Sequence, residues 1–105
     1  MHKKMRKLPK EKRMRGFDYK LLKRTDGVAL YSLSVRGSVY GYEVHKVRVK
    51  PEGYSKFKDS NGKMNIIKYP KREVLALTNE FGTFGWSYQF ESDALKKFKE
   101  EQNGK

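Results

Sequence analysis

The residue best suited to acid–base chemistry is His45, which lies close to Glu43 in the stretch GYEVHKV. His45 could act as a general base, but we predict that it is a β-bulge residue without a catalytic role. The chain has one other histidine, His2, and no cysteine. No second catalytic group or set of metal ligands is spaced to work with His45, so we expect no catalysis, no metal and no cofactor. A small metal-free ribonuclease that uses Lys, Arg, Tyr and His45 is a secondary alternative.

The strongest feature of the composition is its positive charge. The 105 residues include 25 Lys and Arg against 12 Asp and Glu, a formal net charge of +13. The first fifteen residues, MHKKMRKLPKEKRMR, contain eight of the basic residues and one acidic residue. Such a charge attracts polyanions, and basic side chains bind nucleic acid by neutralising its phosphates. We therefore predict a nucleic-acid partner, DNA or RNA. The alternative is a protein-interaction module, or a phage accessory or structural protein, that docks on an acidic protein partner.

The predicted contacts form two groups. The N-terminal group would supply phosphate contacts, and it consists of Lys3, Lys4, Arg6, Lys7, Lys10, Lys12, Arg13 and Arg15. The second group would extend the footprint along a strand and a loop, and it consists of Lys46, Arg48, Lys50, Lys56 and Lys58. Phosphate contacts carry little sequence information, so we expect weakly specific, salt-dependent binding. A solubilising tail and an ordinary solvated strand face are the competing interpretations.

An aromatic row occupies the stretch FGTFGWSYQF. Phe84, Trp86, Tyr88 and Phe90 fall at every second residue, which is the period of a β-strand. The row could be an exposed platform on which bases stack, or the buried face of a strand. The intervening residues are too small or too polar to build a core. We therefore predict that the four aromatic side chains face a C-terminal helix.

Turn signals and apolar alternation predict the elements that carry these residues. FDYKLLKRT, VALYSLSV and VYGYEVHKVRVK read as three strands, joined at Asp26-Gly27 and around Gly37. An Asp-Gly pair between apolar runs favours a type I′ hairpin. The stretch SDALKKFKEEQNG reads as a short amphipathic helix. We predict an α+β fold: an antiparallel meander sheet of four to five strands with one C-terminal helix packed on one face. The domain would span 17–105, after a flexible basic arm at 1–16.

Two stretches raise more specific questions. In the third strand, Tyr42 and Val44 have one parity whereas Val47 and Val49 have the other, which predicts a β-bulge near His45. The stretch KPEGYSKFKDSNGKMN, residues 50–65, interleaves lysines with Tyr54 and Phe57. It reads as a loop that its aromatics pin to the core. An exposed surface for single-stranded nucleic acid is the alternative.

Several of these segments together resemble a group of small uncharacterised proteins of phages and mobile elements, especially those of gut bacteria. The resemblance rests on ALY at 29–31, GYEV followed by VRV at 41–49, FG before WSY at 81–88, and ALKKF at 94–98. It covers roughly residues 17–98 and implies a shared fold, with no activity to carry over. With no apolar run of membrane-spanning length, we expect no membrane contact. We expect the chain in the cytoplasm of a bacterial host, with a virion as the alternative.

Overall fold

The computed structural model describes residues 5–103. This part of the chain contains nine strands, a short 3₁₀ helix and one α-helix. The strands are β1 (Glu11–Met14), β2 (Phe17–Arg24), β3 (Val28–Val35), β4 (Ser38–Lys46), β5 (Arg48–Lys50), β6 (Gly53–Lys58), β7 (Met64–Tyr69), β8 (Arg72–Val74) and β9 (Gly85–Tyr88). The 3₁₀ helix spans Thr78–Glu80, and α1 spans Glu91–Asn103.

The backbone divides into two compact units. Within the described residues, the larger unit comprises 9–48 and 75–103, and the smaller unit comprises 5–8 and 49–74. The smaller unit therefore draws on a short N-terminal piece and on the segment that follows the third strand of the predicted meander.

The larger unit is built on a five-stranded antiparallel sheet in the order β1-β2-β3-β4-β9. Helix α1 packs against β3, β4 and β9. The predicted α+β fold, with a sheet of four to five strands and a C-terminal helix on one face, is confirmed. Within 5–103, no helix has the length and apolarity that a bilayer crossing requires.

The core beneath α1 is formed by alternate residues of the sheet. Val28, Leu30 and Val44 are buried together with Ala94 and Phe98 of the helix. Trp86 and Tyr88 pack against this cluster from β9. The prediction that the aromatic row faces the helix is therefore confirmed for its two central members.

The outer members of the aromatic row behave differently. Phe84 precedes β9, and its ring lies 4.4 Å from the guanidinium carbon of Arg48. Phe90 follows β9 and is 61% exposed. The strand holds only the four residues Gly85–Tyr88, so strict alternation extends no further than Tyr88. The prediction was therefore wrong for Phe90, and Phe84 is not among the residues that pack on the cluster beneath α1.

Two tight turns place an Arg-Gly pair in the left-handed region. Arg15 and Gly16 have φ values of 53° and 84°, and Arg36 and Gly37 have 51° and 85°. Positive φ at both central residues is typical of a type I′ hairpin turn. Asp26-Gly27 also lies in a hairpin, but neither residue has a positive φ. There the Thr25 hydroxyl accepts hydrogen bonds from the amides of Gly27 and Val28.

Much of the predicted flexible arm is ordered structure. Glu11–Met14 form β1 and pair with β2, while the Arg6 amide donates to the Lys71 carbonyl and the Glu73 amide donates to the Arg6 carbonyl. The expectation of flexibility was wrong for these residues, because their backbone groups find strand partners that composition does not reveal. Lys3 and Lys4 lie outside the described residues.

The predicted β-bulge near His45 was also wrong. Strand β4 ends at Lys46, and the Val47 amide makes one further bond in the same register by donating to the Gly27 carbonyl. Val49 then belongs to β5, which pairs with β8 in a separate two-stranded sheet. The change of parity in the sequence therefore marks the point at which the chain leaves the large sheet.

The close approach of Gly85 to Ala76 gives a test of the larger unit. A Cβ on Gly85 would lie 2.7 Å from the Ala76 Cβ and 3.4 Å from the Phe81 ring. We expect Gly85→Ala to lower the free energy of unfolding by about 1–3 kcal/mol, since a packed methyl group cannot move aside cheaply. Denaturant unfolding followed by the fluorescence of Trp86, the single tryptophan, measures this change.

Two further variants control this test. Gly27→Ala, where a Cβ would meet no atom within 4 Å, is expected to change stability little. Adding Ala76→Gly to Gly85→Ala is expected to recover part of the loss. If the double variant were less stable than Gly85→Ala alone, steric contact would not be the cause.

Candidate nucleic-acid interface

His45 lies at the centre of a buried polar cluster rather than in a catalytic cleft. Its side chain is fully buried on the sheet face opposite α1. Nδ1 accepts a hydrogen bond from the Ala76 amide at 3.1 Å, so Nε2 carries the proton and donates to Glu43 Oε1 at 2.9 Å. Both ring nitrogens are therefore occupied. Among residues 5–103, no three His, Asp or Glu side chains form a group that could hold a metal ion.

Glu43 collects three donors in this cluster. Besides His45, it accepts hydrogen bonds from the Tyr19 hydroxyl at 3.0 Å and from Arg15 at 3.4 Å. A buried carboxylate is tolerated only when it is hydrogen-bonded and paired with positive charge. Arg15 also donates to the Tyr19 hydroxyl at 3.0 Å. The cluster thus joins the first hairpin turn to β2 and β4.

Aromatic rings surround this polar cluster. Tyr19, Tyr31, His45 and Phe81 form a chain of edge-to-face contacts with centroid separations of 5.6–6.1 Å. The Arg15 guanidinium carbon lies 5.5 Å from the Phe81 ring centroid. The bond from the Ala76 amide to His45 and the ring contact of Phe81 with His45 therefore fix the segment 75–84 on the sheet.

The Tyr19 hydroxyl makes the cluster sensitive to alkaline pH. Burial raises the pKa of Tyr19, and the Glu43 charge acts in the same direction against the opposing effect of Arg15. Below pH of about 10 both the folded and unfolded chains keep the proton, so this contribution to stability is complete. Above that pH the unfolded chain ionises first, and stability falls.

We expect Tyr19→Phe to flatten this alkaline loss of stability. At neutral pH the variant should be less stable by about 1–3 kcal/mol, because a hydrogen bond to a charged group is lost. Urea unfolding between pH 8 and 11 measures both effects. Tyr40→Phe, at a tyrosine that is 63% exposed, is the matched control. An unchanged alkaline slope in Tyr19→Phe would contradict this role.

Four predicted binding residues of the larger unit make internal contacts, and three of them contact a partner distant in the sequence. Arg15 belongs to the cluster around Glu43. Arg48 donates from both terminal nitrogens to the Glu80 carboxylate, and Lys46 lies 3.5 Å from Glu101. Ion pairing reduces the charge that such groups offer to an external phosphate.

The other predicted residues are spread over several elements. In the larger unit, Lys10 and Lys12 are exposed beside or within β1, and Arg13 pairs with Asp18 at 3.0 Å. In the smaller unit, Arg6 is exposed and the Lys7 ammonium lies 3.9 Å from Glu73. Lys50, Lys56 and Lys58 are exposed in the smaller unit.

The smaller unit has the higher density of charge. Its described residues, 5–8 and 49–74, include nine Lys or Arg and three Asp or Glu. The larger unit has more than twice as many described residues, yet its thirteen basic side chains stand against nine acidic ones. The sequence analysis already singled out the lysines interleaved with Tyr54 and Phe57, but it did not group them with Lys68, Lys71 and Arg72, which belong to the same unit.

Strands β6 and β7 form a two-stranded ribbon in this unit. Asp59 closes the ribbon by accepting hydrogen bonds from the amides of Asn61 and Lys63 and from the Asn65 side chain. These hydrogen bonds hold the pKa of Asp59 below its usual range, with Asn65 the largest contributor. The positive φ of 79° at Gly62 completes the turn.

The two faces of the ribbon differ in charge. Directly paired residues share a face of a sheet, so the register assigns one face to three lysines and three apolar residues. We call this the lysine face, and its residues are Tyr54, Lys56, Lys58, Met64, Ile66 and Lys68. All six side chains are exposed. The interpretation of this stretch as a loop pinned by Tyr54 and Phe57 was wrong, since these side chains are 66% and 45% exposed.

No family model, curated protein or solved structure matches this chain.

Proposed function

We propose that the protein is a non-catalytic nucleic-acid-binding protein whose main contact surface is the lysine face of the ribbon. The observation that carries this proposal is the combination, on one exposed face, of Lys56, Lys58 and Lys68 with large apolar side chains. Lysines neutralise phosphates, and an exposed ring such as that of Tyr54 offers a stacking surface for a base.

The shape of the ribbon suits this role. Two antiparallel strands of six residues form an element about 20 Å long. A two-stranded ribbon is one of the elements that the major groove of duplex DNA admits, whereas the major groove of duplex RNA is too deep and narrow. Single-stranded DNA or RNA could instead stack on the exposed ring of Tyr54. Comparison of the affinities for single-stranded DNA, duplex DNA and RNA identifies the preferred nucleic acid.

Exposed basic residues outside the ribbon would make phosphate contacts of their own. Lys50 is exposed in the same unit, and Lys10 and Lys12 are exposed in the larger unit. Contacts of this kind are electrostatic, so binding should weaken steeply as salt rises. The resemblance to small phage and mobile-element proteins supports the further proposal that this activity operates in the cytoplasm of a bacterial host, with a virion as the alternative.

Removal of charge from the lysine face is expected to weaken binding more than removal of the same charge elsewhere. We expect Lys56→Gln, Lys58→Gln and Lys68→Gln together to weaken binding about 10- to 100-fold at physiological salt. They should also lower the slope of log K against log salt by about 2–3. Fluorescence anisotropy with labelled single-stranded DNA, duplex DNA and RNA measures both quantities and names the preferred ligand.

The control variant removes three exposed lysines of the larger unit, namely Lys20, Lys96 and Lys99. It loses the same net charge and is expected to bind nearly as well as the natural chain. Equal losses in the two variants would show a response to net charge alone and would overturn the proposed surface. Capture of one acidic protein after nuclease treatment, lost in the lysine-face variant, would favour the alternative of a protein-interaction module.

A further inference from the structure

The second face of the ribbon has no charged residue. Its three pairs across the strands are Gly53 with Tyr69, Ser55 with Ile67, and Phe57 with Asn65. The large side chains are exposed, at 45% for Phe57, 43% for Ile67 and 38% for Tyr69. We call these six residues the uncharged face. An isolated two-stranded hairpin is marginally stable in water, so exposed apolar residues on its second face call for a partner.

Each pair on the uncharged face joins one large residue to one small or polar residue. Tyr69 stands beside Gly53, Ile67 beside Ser55, and Phe57 beside Asn65. On this face, each large side chain therefore has a smaller or more polar residue beside it on the neighbouring strand. The Ser55 hydroxyl donates to the Tyr69 hydroxyl at 3.1 Å, which satisfies both polar groups without projecting a charge.

This pattern is complementary to itself. When a second ribbon is laid face to face on the first by a two-fold rotation about an axis parallel to the strands, the two strands exchange sides. Tyr69 then lies opposite Gly53 of the second copy, Ile67 opposite Ser55, and Phe57 opposite Asn65. Large residues meet small ones in all three pairs, as packed layers require. A two-fold contact of this kind uses the same patch on both chains.

The absence of charge on this face favours a second copy of the chain as its partner. Nucleic acid and acidic protein surfaces both seek cations, and the uncharged face offers none within β6 and β7. At one end of the ribbon the Arg72 guanidinium carbon lies 5.2 Å from the Tyr69 ring centroid. Two chains that each have a net charge of +13 repel, so they can approach closely only where lysines are absent.

We propose that the uncharged face is a homodimer interface, in which a second copy of this chain packs its own uncharged face against the first. The inference goes beyond the proposed function and does not depend on nucleic-acid binding. Three large side chains per copy make a small interface, below the size of most stable complexes. We therefore expect a concentration-dependent dimer with a Kd of roughly 10 μM to 1 mM.

Neighbouring isoleucines of β7 provide a matched test. Ile67 belongs to the uncharged face and Ile66 to the lysine face, and both are exposed. Sedimentation equilibrium of the nuclease-treated full chain is expected to show a dimer that Ile67→Lys weakens about tenfold or more, since each copy would then bury an unpaired ammonium in the interface. Ile66→Lys adds the same charge to the same strand and is expected to leave the dimer nearly unchanged.

The salt response and the variants together decide the outcome. Added salt should strengthen the dimer, because it screens repulsion between the basic chains, whereas it weakens nucleic-acid binding. A natural chain that remains monomeric up to about 1 mM would overturn the proposal, as it would leave no association in the expected range of Kd. Equal effects of the two variants would point to strand edges rather than to the uncharged face and would also overturn it.

A cross-linking experiment tests the arrangement independently of these variants. The chain has no cysteine, so Ser55→Cys and Ile67→Cys each introduce a single thiol. In an equimolar mixture under mild oxidation we expect disulfides mainly between the two different variants, because residue 55 lies opposite residue 67 of the second copy. Predominant Ser55→Cys homodimers would contradict this alignment. Circular dichroism checks that every variant is folded.

Discussion

The larger unit depends on one constraint, which is the burial of the Glu43 carboxylate. A carboxylate removed from water needs donors and a counter-charge, and here they come from the turn at Arg15, from Tyr19 on β2 and from His45 on β4. His45 in turn holds the Ala76 amide. The hydrogen bonds that the Glu43 carboxylate needs therefore fix the first hairpin on the sheet, and through His45 they also fix the segment 75–84.

Much of the fold followed from local pattern. Alternation in VALYSLSV and GYEV, turn signals around Gly27 and Gly37, and the apolar spacing of Ala94 and Phe98 were sufficient to predict a meander and its covering helix. These signals operate over a few residues, so a single sequence contains them in full. The buried face of Trp86 and Tyr88 followed from the same reasoning.

The features that were missed depend on contacts between distant parts of the chain. Glu11–Met14 look like a charged tail, and only pairing with β2 makes them a strand. His45 looks solitary in sequence, because its second partner is the amide of Ala76, thirty-one residues away. The ribbon looked like a loop because KFKDSNGKMN is rich in polar residues. The pairing of its two strands instead puts the lysines on one face and the uncharged polar residues on the other. Long-range pairing of this kind cannot be read from local periodicity.

Arginines and lysines have different roles in this protein. Arg15 and Arg48 use the planar guanidinium to contact a carboxylate and an aromatic ring at the same time. The ribbon contains lysines and no arginine, and its lysine side chains are exposed. A compact ammonium on a flexible stem suits a solvated surface that must adapt to a polyanion. Arginine charges therefore pair with carboxylates within the larger unit, whereas the lysine charges of the ribbon are exposed.

The insertion point of the segment 49–74 has an evolutionary consequence. The chain leaves the larger unit at Arg48 and returns at Leu75, and an Arg48 terminal nitrogen donates to the Leu75 carbonyl at 3.4 Å. The two ends of the segment 49–74 therefore lie close together. Such a segment can be lengthened, shortened or exchanged without moving the sheet. The larger unit and the segment 49–74 can therefore accumulate mutations at different rates. Related chains would then share a recognisable sheet and helix while carrying unrelated ribbons.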